Sequence, residues 1–182
     1  MIRVAIFLVV SIGFFLISWR SLREPRSHGF YRFFAFEFLL LLILRNSPFW
    51  FRDPLSPHQI ISWLLLFGSL WLAVEGFRLL LKIGKPTRDG RRGTKLAFES
   101  TTTLVTVGLY RYIRHPMYAA LLALAWGTCL KHVSIASVGL ALSACGFLIA
   151  MVLAEERENL ADFGADYAAY MKTTKRFIPW VF

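Results

Sequence analysis

Charged residues and cysteines are both scarce in this sequence of 182 residues. Only 18% of the residues are charged and 57% are apolar, whereas soluble domains carry about 25% charged and about 45–50% apolar residues. This balance excludes an ordinary soluble domain and predicts a lipid bilayer around the chain. The two cysteines, Cys129 and Cys145, lie in apolar runs without a CxxC or metal-ligand spacing. A disulfide framework and a metal site are therefore not expected.

Acidic residues are about half as frequent as basic ones, with 11 Asp and Glu against 21 Lys and Arg and a net charge of +10. On a soluble chain this excess would indicate nucleic acid, but in membrane proteins Lys and Arg collect on the cytoplasmic side. Seventeen basic residues fall on one side of the predicted spans; the other four are Arg3, Arg45, Arg52 and Lys131. The sequence predicts an external amino terminus and a cytoplasmic carboxyl terminus, in a bacterial inner membrane or an endoplasmic-reticulum-type membrane. No nucleic-acid partner is expected, and binding of anionic lipids is a secondary effect.

Apolar runs predict about five membrane-spanning helices, at residues 4–18, 33–44, 59–81, 117–130 and 133–154. Only Lys131 and His132 separate the last two runs, so we expect a tight antiparallel hairpin. The first run is not interpreted as a signal peptide, because arginines follow it and a small-residue cleavage site does not. The fold class is an all-α integral membrane protein. Within its single domain, residues 1–83 form a three-helix scaffold and residues 84–182 a cytoplasm-facing loop, hairpin and tail.

Two glutamates lie inside predicted spans, where a charge costs at least about 2.5–3.5 kcal/mol. Glu75 has Arg78 one turn away, so an ion pair is the simplest explanation. For Glu37, protonation, pairing with Arg32 or Arg45, and a place in a lipid-facing pocket all stay open. Three histidines, His28, His58 and His132, are placed in loops without a partner spacing, and no metal site is predicted.

The densest polar cluster covers residues 104–118. Pro116 suits the first position of a helix, with His115 near its cap. Free backbone N–H groups at that helix end, together with Arg111 and Arg114, would suit a carboxylate or a phosphate. The alternative is a positively charged membrane anchor with interfacial tyrosines.

A second cluster, Glu155 and Glu156, follows the last apolar run. Adjacent acids at a helix end are usually solvated, but they oppose the helix dipole on a cytoplasmic boundary. In an antiparallel hairpin they could share a pocket with Arg114 and His115. In the tail, Tyr167 and Tyr170 belong to a stripe typical of an amphipathic interfacial helix.

The two clusters together resemble the isoprenylcysteine carboxyl methyltransferase family and related phospholipid methyltransferase-like membrane proteins, over roughly residues 95–182. The residues that carry the resemblance are Leu104, Val105, Gly108, Tyr110, Arg114, His115, Pro116, Tyr118, Glu155, Glu156, Phe163, Gly164, Tyr167, Tyr170, Arg176 and Pro179. The resemblance implies S-adenosyl-L-methionine as methyl donor in a cytoplasmic pocket, and a membrane lipid or a prenylated molecule as acceptor. Family members often have a histidine where this chain has Thr102, and the effect of that difference on cofactor binding is left open.

By position, the resemblance assigns cofactor contacts to Leu104, Val105, Gly108, Tyr110, His115, Pro116, Tyr118, Glu155 and Glu156. It makes Arg114, Arg176 and Glu156 the candidate catalytic residues, the arginines by orienting an anionic substrate or the carboxylate of the donor. Methyl transfer from a sulfonium to a carboxylate disperses both charges, so a dry site with fixed dipoles favours it.

Carboxyl O-methylation of an isoprenylcysteine-like substrate is the expected reaction, with phospholipid N-methylation as the alternative. An amine would first have to lose a proton, for which His115 or the glutamates are available. Two other interpretations are an NADPH-dependent sterol-type reductase, which shares a His-Pro-x-Tyr motif, and a membrane assembly protein without enzymatic activity. The oligomeric state cannot be inferred.

Overall fold

The computed structural model describes residues 1–85 and 101–179, and the chain is helical within these ranges. Five α-helices follow one another: α1 (Ile2–Ser18), α2 (His28–Asn46), α3 (Pro57–Ile83), α4 (Pro116–Cys129) and α5 (Ile135–Thr173). Short 3₁₀ turns cover Ser21–Arg23, Ser47–Phe49 and Gly108–Arg111. The described residues contain no β-strand, apart from an isolated bridge between Ile113 and Lys175. The predicted all-α class is therefore confirmed for this part of the chain, whereas most of the predicted cytoplasmic loop lies outside it.

Local sequence signals explain where several helices begin. The side chains of Ser27 and Ser134 each accept a hydrogen bond from a backbone N–H of the first turn, of α2 and α5 respectively. Pro116 occupies the first turn of α4 and His115 is its N-cap, as predicted. A proline at this position costs nothing, because the first backbone N–H groups of a helix have no partner within the helix.

Helix α2 begins earlier than its apolar run indicates, and the placement of His28 in a loop was wrong. His28 is the first residue of α2 and is buried. Its Nδ1 lies 2.9 Å from Oε2 of Glu158, and its backbone N–H donates to Oε1 of the same carboxylate at 3.1 Å. Local spacing gave no hint of this pair because its partners are separated by 130 residues.

Helix α5 continues well past the expected boundary at residue 154. Glu155 and Glu156 therefore lie in the middle of a helix, and the expected unfavourable contact with a helix end does not arise. At Gly164 the backbone leaves helical geometry, with φ 55° and ψ −125°. The segment expected to form an interfacial helix is the part of α5 beyond this bend, where Tyr167 and Tyr170 are buried.

Helix α2 packs along α5, and α3 packs along α4; these are the two most extensive helix contacts. Helices α4 and α5 also contact each other, from Cys129 and Ala141 at one end to Tyr118 and Glu155 at the other. The helices predicted as scaffold thus form part of the surroundings of the second half of the chain.

Small residues at a spacing of seven bring α3 close to α4. Ser62 donates to the carbonyl oxygen of Gly127 at 2.6 Å, and Ser69 donates to that of Ala120 at 2.8 Å. One heptad further, a Cβ placed on Gly76 would lie 3.2 Å from Cγ of Met117. Small residues of this kind allow helix backbones to approach closely, and here they fix the amino-terminal end of α4.

Buried side chains from α2 and α3 satisfy backbone carbonyl groups at the end of α4, which have no partner within the helix. Besides Ser62 on Gly127, Asn46 donates to the carbonyl oxygen of Thr128 at 2.8 Å, and Gln59 donates to that of Lys131 at 3.1 Å. The connection between α4 and α5 is therefore held from two sides.

We expect Ser62→Ala to lower the free energy of unfolding by about 1 kcal/mol, because the buried carbonyl group of Gly127 loses its hydrogen-bond donor. The matched control is Ser143→Ala, since Ser143 is only half-buried and its exposed hydrogen bond goes to the carbonyl oxygen of Gly139 in its own helix. Denaturation of the detergent-purified variants by SDS measures both effects. Equal changes in the two variants would contradict this role of Ser62.

The outer surfaces of several helices are apolar and exposed. On α3 they include Leu64, Phe67, Leu70, Trp71 and Val74. Within the described ranges, α3 and α5 are long and apolar enough to cross a membrane. Helices α1 and α4, with 17 and 14 residues, are apolar but shorter, so the number of spans stays a prediction.

The two acids of the predicted spans have different surroundings. Nη1 of Arg78 lies 3.5 Å from Glu75, so the predicted ion pair is confirmed. Glu37 accepts a hydrogen bond at 2.6 Å from Ser11 of α1. This contact ties α1 to α2 and was not among the expected possibilities.

Candidate functional site

A cavity of about 310 Å³ lies between α2, the start of α4 and the two parts of α5. Eight of the predicted site residues line it: Leu104, Val105, Tyr110, Arg114, His115, Pro116, Tyr118 and Glu155. The structure therefore brings together the two motif clusters that the sequence separates by about 40 residues. Gly108, Glu156 and Arg176 do not line the cavity.

Gly108 shapes the turn that carries Tyr110 and is not part of the cavity wall. Its φ of 61° favours glycine. A Cβ there would also lie 2.7 Å from Cδ1 of Leu79. The structure thus gives Gly108 a conformational role, and the cofactor contact that the resemblance implied stays a prediction.

Glu156 is buried in a cluster of positive groups beside the cavity. Nε and Nη2 of Arg114 donate to its Oε1 at 3.0 and 2.9 Å, and Nη2 of Arg176 donates to its Oε2 at 2.9 Å. Nε2 of His115 lies 3.5 Å from Oε1. Glu156 therefore holds Arg114 and Arg176, while its contact with the cofactor stays a prediction.

The charge of Glu156 is strongly favoured. The residue lies just beyond the apolar stretch of α5, which ends at Ala154. Burial acts to raise the pKa of its carboxyl group, but interactions with His115, Arg176 and Arg114 outweigh burial and lower the pKa to about 2. The carboxylate thus stays ionised and keeps both guanidinium groups in place.

The tail residues after α5 are joined to the segment that precedes α4. The backbone N–H groups of Arg114 and His115 donate to the carbonyl oxygens of Lys175 and Arg176, at 2.7 and 3.1 Å. Nη1 of Arg114 also donates to the backbone carbonyl group of Thr174. This pairing fixes the direction in which His115 enters the cavity wall.

Tyrosines form much of the remaining wall. The hydroxyl of Tyr170 donates to the backbone carbonyl group of Tyr110. The hydroxyl of Tyr110 in turn donates to the backbone carbonyl oxygen of Gly76 at 3.4 Å. Burial, followed by the negative charge of Glu155, raises the pKa of Tyr110 far above its usual value. At neutral pH this hydroxyl is protonated, so it acts as a donor.

Several cavity residues were not identified as site residues from the sequence. They are Arg32, Phe36, Leu80, Thr101, Met117, Leu121, Met151, Asn159, Phe163, Tyr167 and Tyr170. The stripe that contains Tyr167 and Tyr170 is visible in the sequence, but the same spacing is typical of ordinary helix packing. Arg32 comes from α2, outside both motif clusters, and no local pattern marked it.

Thr102, which stands where family members often have a histidine, does not line the cavity. It is exposed, and its Oγ1 donates to the backbone carbonyl group of Lys85 at 3.1 Å. The neighbouring Thr101 lines the cavity instead.

A family model, that of the phospholipid methyltransferases, matches residues 57–163, which is more than half of the chain. The chain belongs to the phospholipid methyltransferase family. The matched region contains α3, α4 and most of α5. Arg32, Tyr167 and Tyr170 line the cavity from outside it.

Two curated relatives are both named as methanethiol S-methyltransferases. Methanethiol S-methyltransferase 2 of Bradyrhizobium diazoefficiens is 29% identical over 154 residues, which cover 79% of this chain and 57% of the relative. Methanethiol S-methyltransferase of Mycobacterium tuberculosis is 29% identical over 72 residues, 40% of this chain and 29% of the relative. The chain thus matches little more than half the length of the first relative and less than a third of the second. No solved structure matches the chain significantly.

Proposed function

We propose that this protein is a membrane methyltransferase that uses S-adenosyl-L-methionine. The observation that carries the proposal is the cavity itself, in which both motif clusters of this methyltransferase family meet. The exposed apolar helix surfaces support a position in the membrane. We further propose five spans with a cytoplasmic cavity, from the asymmetry of basic residues.

The residues of the cavity fit such a donor. Tyr167 and His115 are both buried in the cavity wall. The hydroxyl of Tyr167 interacts with Asn159, and Nε2 of His115 lies 3.5 Å from Glu156. The remaining hydrogen-bonding capacity of these two side chains suits a polar ligand. Glu155 adds a negative charge to the wall, which suits a cationic donor.

For the acceptor we propose a small alkyl thiol, ahead of the isoprenylcysteine carboxylate and the phospholipid amine. The names of the two relatives favour a thiol. The cavity volume of about 310 Å³ is also at the lower end of the roughly 300–1,000 Å³ of ligand pockets, which leaves little room beside the donor.

A thiol acceptor must lose its proton, because a thiolate is the nucleophile. His115 lines the cavity and is the proposed proton acceptor, oriented by Glu156 through the 3.5 Å contact. When bound, the donor supplies an electrophilic methyl group. In such a transfer the new sulfur–carbon bond would form from the acceptor's lone pair, and the electron pair of the broken bond would stay on the sulfur of the donor. A carboxylate acceptor would need no proton transfer.

Calorimetry of the detergent-purified protein tests the donor, with S-adenosyl-L-methionine and NADPH as ligands. We expect the first to bind and the second not to bind. His115→Ala should weaken donor binding several-fold, because it removes part of the cavity wall. Binding of NADPH alone would support the reductase, and binding of neither ligand would support an assembly protein.

Methyl-labelled donor identifies the acceptor when it is supplied with methanethiol, a prenylated cysteine or phospholipid vesicles. We expect a labelled thioether. A labelled methyl ester would instead support carboxyl methylation. Labelled phospholipid would support N-methylation.

A further inference from the structure

The adjacent glutamates of α5 have opposite surroundings. Glu156 faces two arginines and His115, as described above. Glu155 lines the cavity and accepts a hydrogen bond from the hydroxyl of Tyr118. Within residues 1–85 and 101–179, the structure gives Glu155 no ion pair. Consecutive helix residues point in different directions, so one carboxylate is neutralised and the other leaves its negative charge at the cavity.

The wall around Glu155 is aromatic. Tyr110, Tyr118, Tyr167 and Tyr170 all line the same cavity. The faces of aromatic rings attract cations, and the attraction is stronger where water is excluded. Two arginines also line the cavity. Arg114 is engaged by Glu156 and by the backbone of Thr174, and Arg32 is not free either. A carboxylate among tyrosine rings is a site for a compact organic cation.

The methyl donor and its demethylated product differ in the positive charge on sulfur. S-adenosyl-L-methionine carries a sulfonium, whereas S-adenosylhomocysteine has a neutral thioether, and both share the adenosine, amino and carboxylate groups. A cavity that recognised only the shared groups would bind donor and product equally. A cavity that recognises the sulfonium charge binds the donor more tightly and releases the product.

Tyr167 provides a second, separable contact. Its side chain is 2% exposed, and its hydroxyl lies beside Asn159, which also lines the cavity. Because burial raises the pKa of this hydroxyl to about 12, it is protonated at neutral pH. It can therefore donate to an acceptor atom that donor and product share, while its ring faces the same cavity as Glu155.

We infer that Glu155 and the surrounding tyrosine rings form a sulfonium-selective subsite, which makes the cavity prefer the methyl donor over the demethylated product. This inference rests on the proposed function and goes beyond it, because a methyltransferase can bind its donor through the shared groups alone. The two glutamates then have separate roles: Glu156 positions the arginines, and Glu155 attracts the positive charge of the sulfonium.

The test is the ratio of dissociation constants for S-adenosylhomocysteine and S-adenosyl-L-methionine, measured by calorimetry. For the wild-type protein we expect a ratio of about ten or more, the factor that one desolvated cation–π and carboxylate interaction supplies. Glu155→Gln should lower the ratio towards one, while the amide oxygen keeps the hydrogen bond from Tyr118. The matched control, Asp166→Asn, removes an exposed carboxylate next to Tyr167 and should leave the ratio unchanged.

Two variants of Tyr167 separate its ring from its hydroxyl. Tyr167→Phe should weaken both ligands by the same factor, because it removes only the shared hydrogen bond. Tyr167→Leu removes the ring as well as the hydroxyl, so, unlike Tyr167→Phe, it should lower the ratio of the two dissociation constants. Thermal unfolding in detergent shows whether each variant is folded before its binding is compared.

The possible failures are distinguishable. If the wild-type protein binds neither ligand, the proposed function is wrong. If it binds both equally, the proposed function stands and the sulfonium-selective subsite does not exist. If Glu155→Gln weakens both ligands equally, Glu155 contacts the shared amino group and the inference is overturned.

Discussion

Replacing Glu156 with alanine is expected to lower the free energy of unfolding by about 3–5 kcal/mol. Glu156 is 4% exposed and accepts hydrogen bonds from Arg114 and Arg176. Its removal leaves the buried guanidinium group of Arg114 without a counter-charge, and such a charge costs far more than the lost ion pair alone. SDS denaturation of detergent-purified protein measures the change.

The control for this variant is Glu75→Ala. Glu75 also forms an ion pair within a helix, but this pair lies in the last turns of α3, near the predicted membrane interface, and the side chain of its partner Arg78 is 69% exposed. Exposed pairs contribute about 0–1 kcal/mol, so the control should unfold nearly as the wild type does. A similar small change in both variants would show that the cluster around Glu156 does not stabilise the fold.

The same cluster predicts the response of the wild-type protein to acid. The pKa of Glu156 falls from 4.5 to about 2 on folding. A carboxyl group with a lowered pKa stabilises the folded state fully above its unfolded pKa, and this stabilisation is lost as the pH falls through the folded value. Unfolding should therefore become easier between about pH 4.5 and pH 2, and less so in Glu156→Ala.

Replacing Gly164 with alanine is expected to cost about 1–3 kcal/mol and to weaken donor binding at least tenfold. The backbone at Gly164 has φ 55° and ψ −125°, which alanine adopts only with strain. No atom lies within 4 Å of a Cβ at this position, so the effect is purely conformational. Alanine favours a straight helix, which would carry Tyr167 and Tyr170 away from the cavity.

Gly146→Ala is the matched control, because Gly146 also lies in α5 with open space around it but has a negative φ. This change should stabilise α5 slightly, since alanine is the better helix former. Calorimetry with S-adenosyl-L-methionine and SDS denaturation test both variants. Unchanged binding in Gly164→Ala would mean that the bend does not position the tyrosines.

Features that depend on local sequence were predictable. Pro116 at the first position of α4 and His115 at its cap follow from the chemistry of helix ends, and the resemblance added the residues around them. The meeting of the two motif clusters required only that α4 and α5 lie side by side. These predictions concern neighbours in sequence or in adjacent helices.

Other features depend on partners distant in sequence. Nothing local distinguishes Glu155 from Glu156; their roles differ because Arg176 returns from the tail to one of them. The pairing of His28 with Glu158 is equally invisible in local spacing. The role of Tyr167 depends on the positive φ of Gly164, which a helical stripe of aromatic residues does not reveal.

The pairing of the tail with the segment before α4 has a consequence for biosynthesis. The carbonyl groups of Lys175 and Arg176 hold Arg114 and His115, and the side chain of Arg176 completes the group around Glu156. A nascent chain can form α1 to α4 and most of α5 while the wall of the cavity is still unfinished. The wall is therefore completed only after residue 176 has left the ribosome.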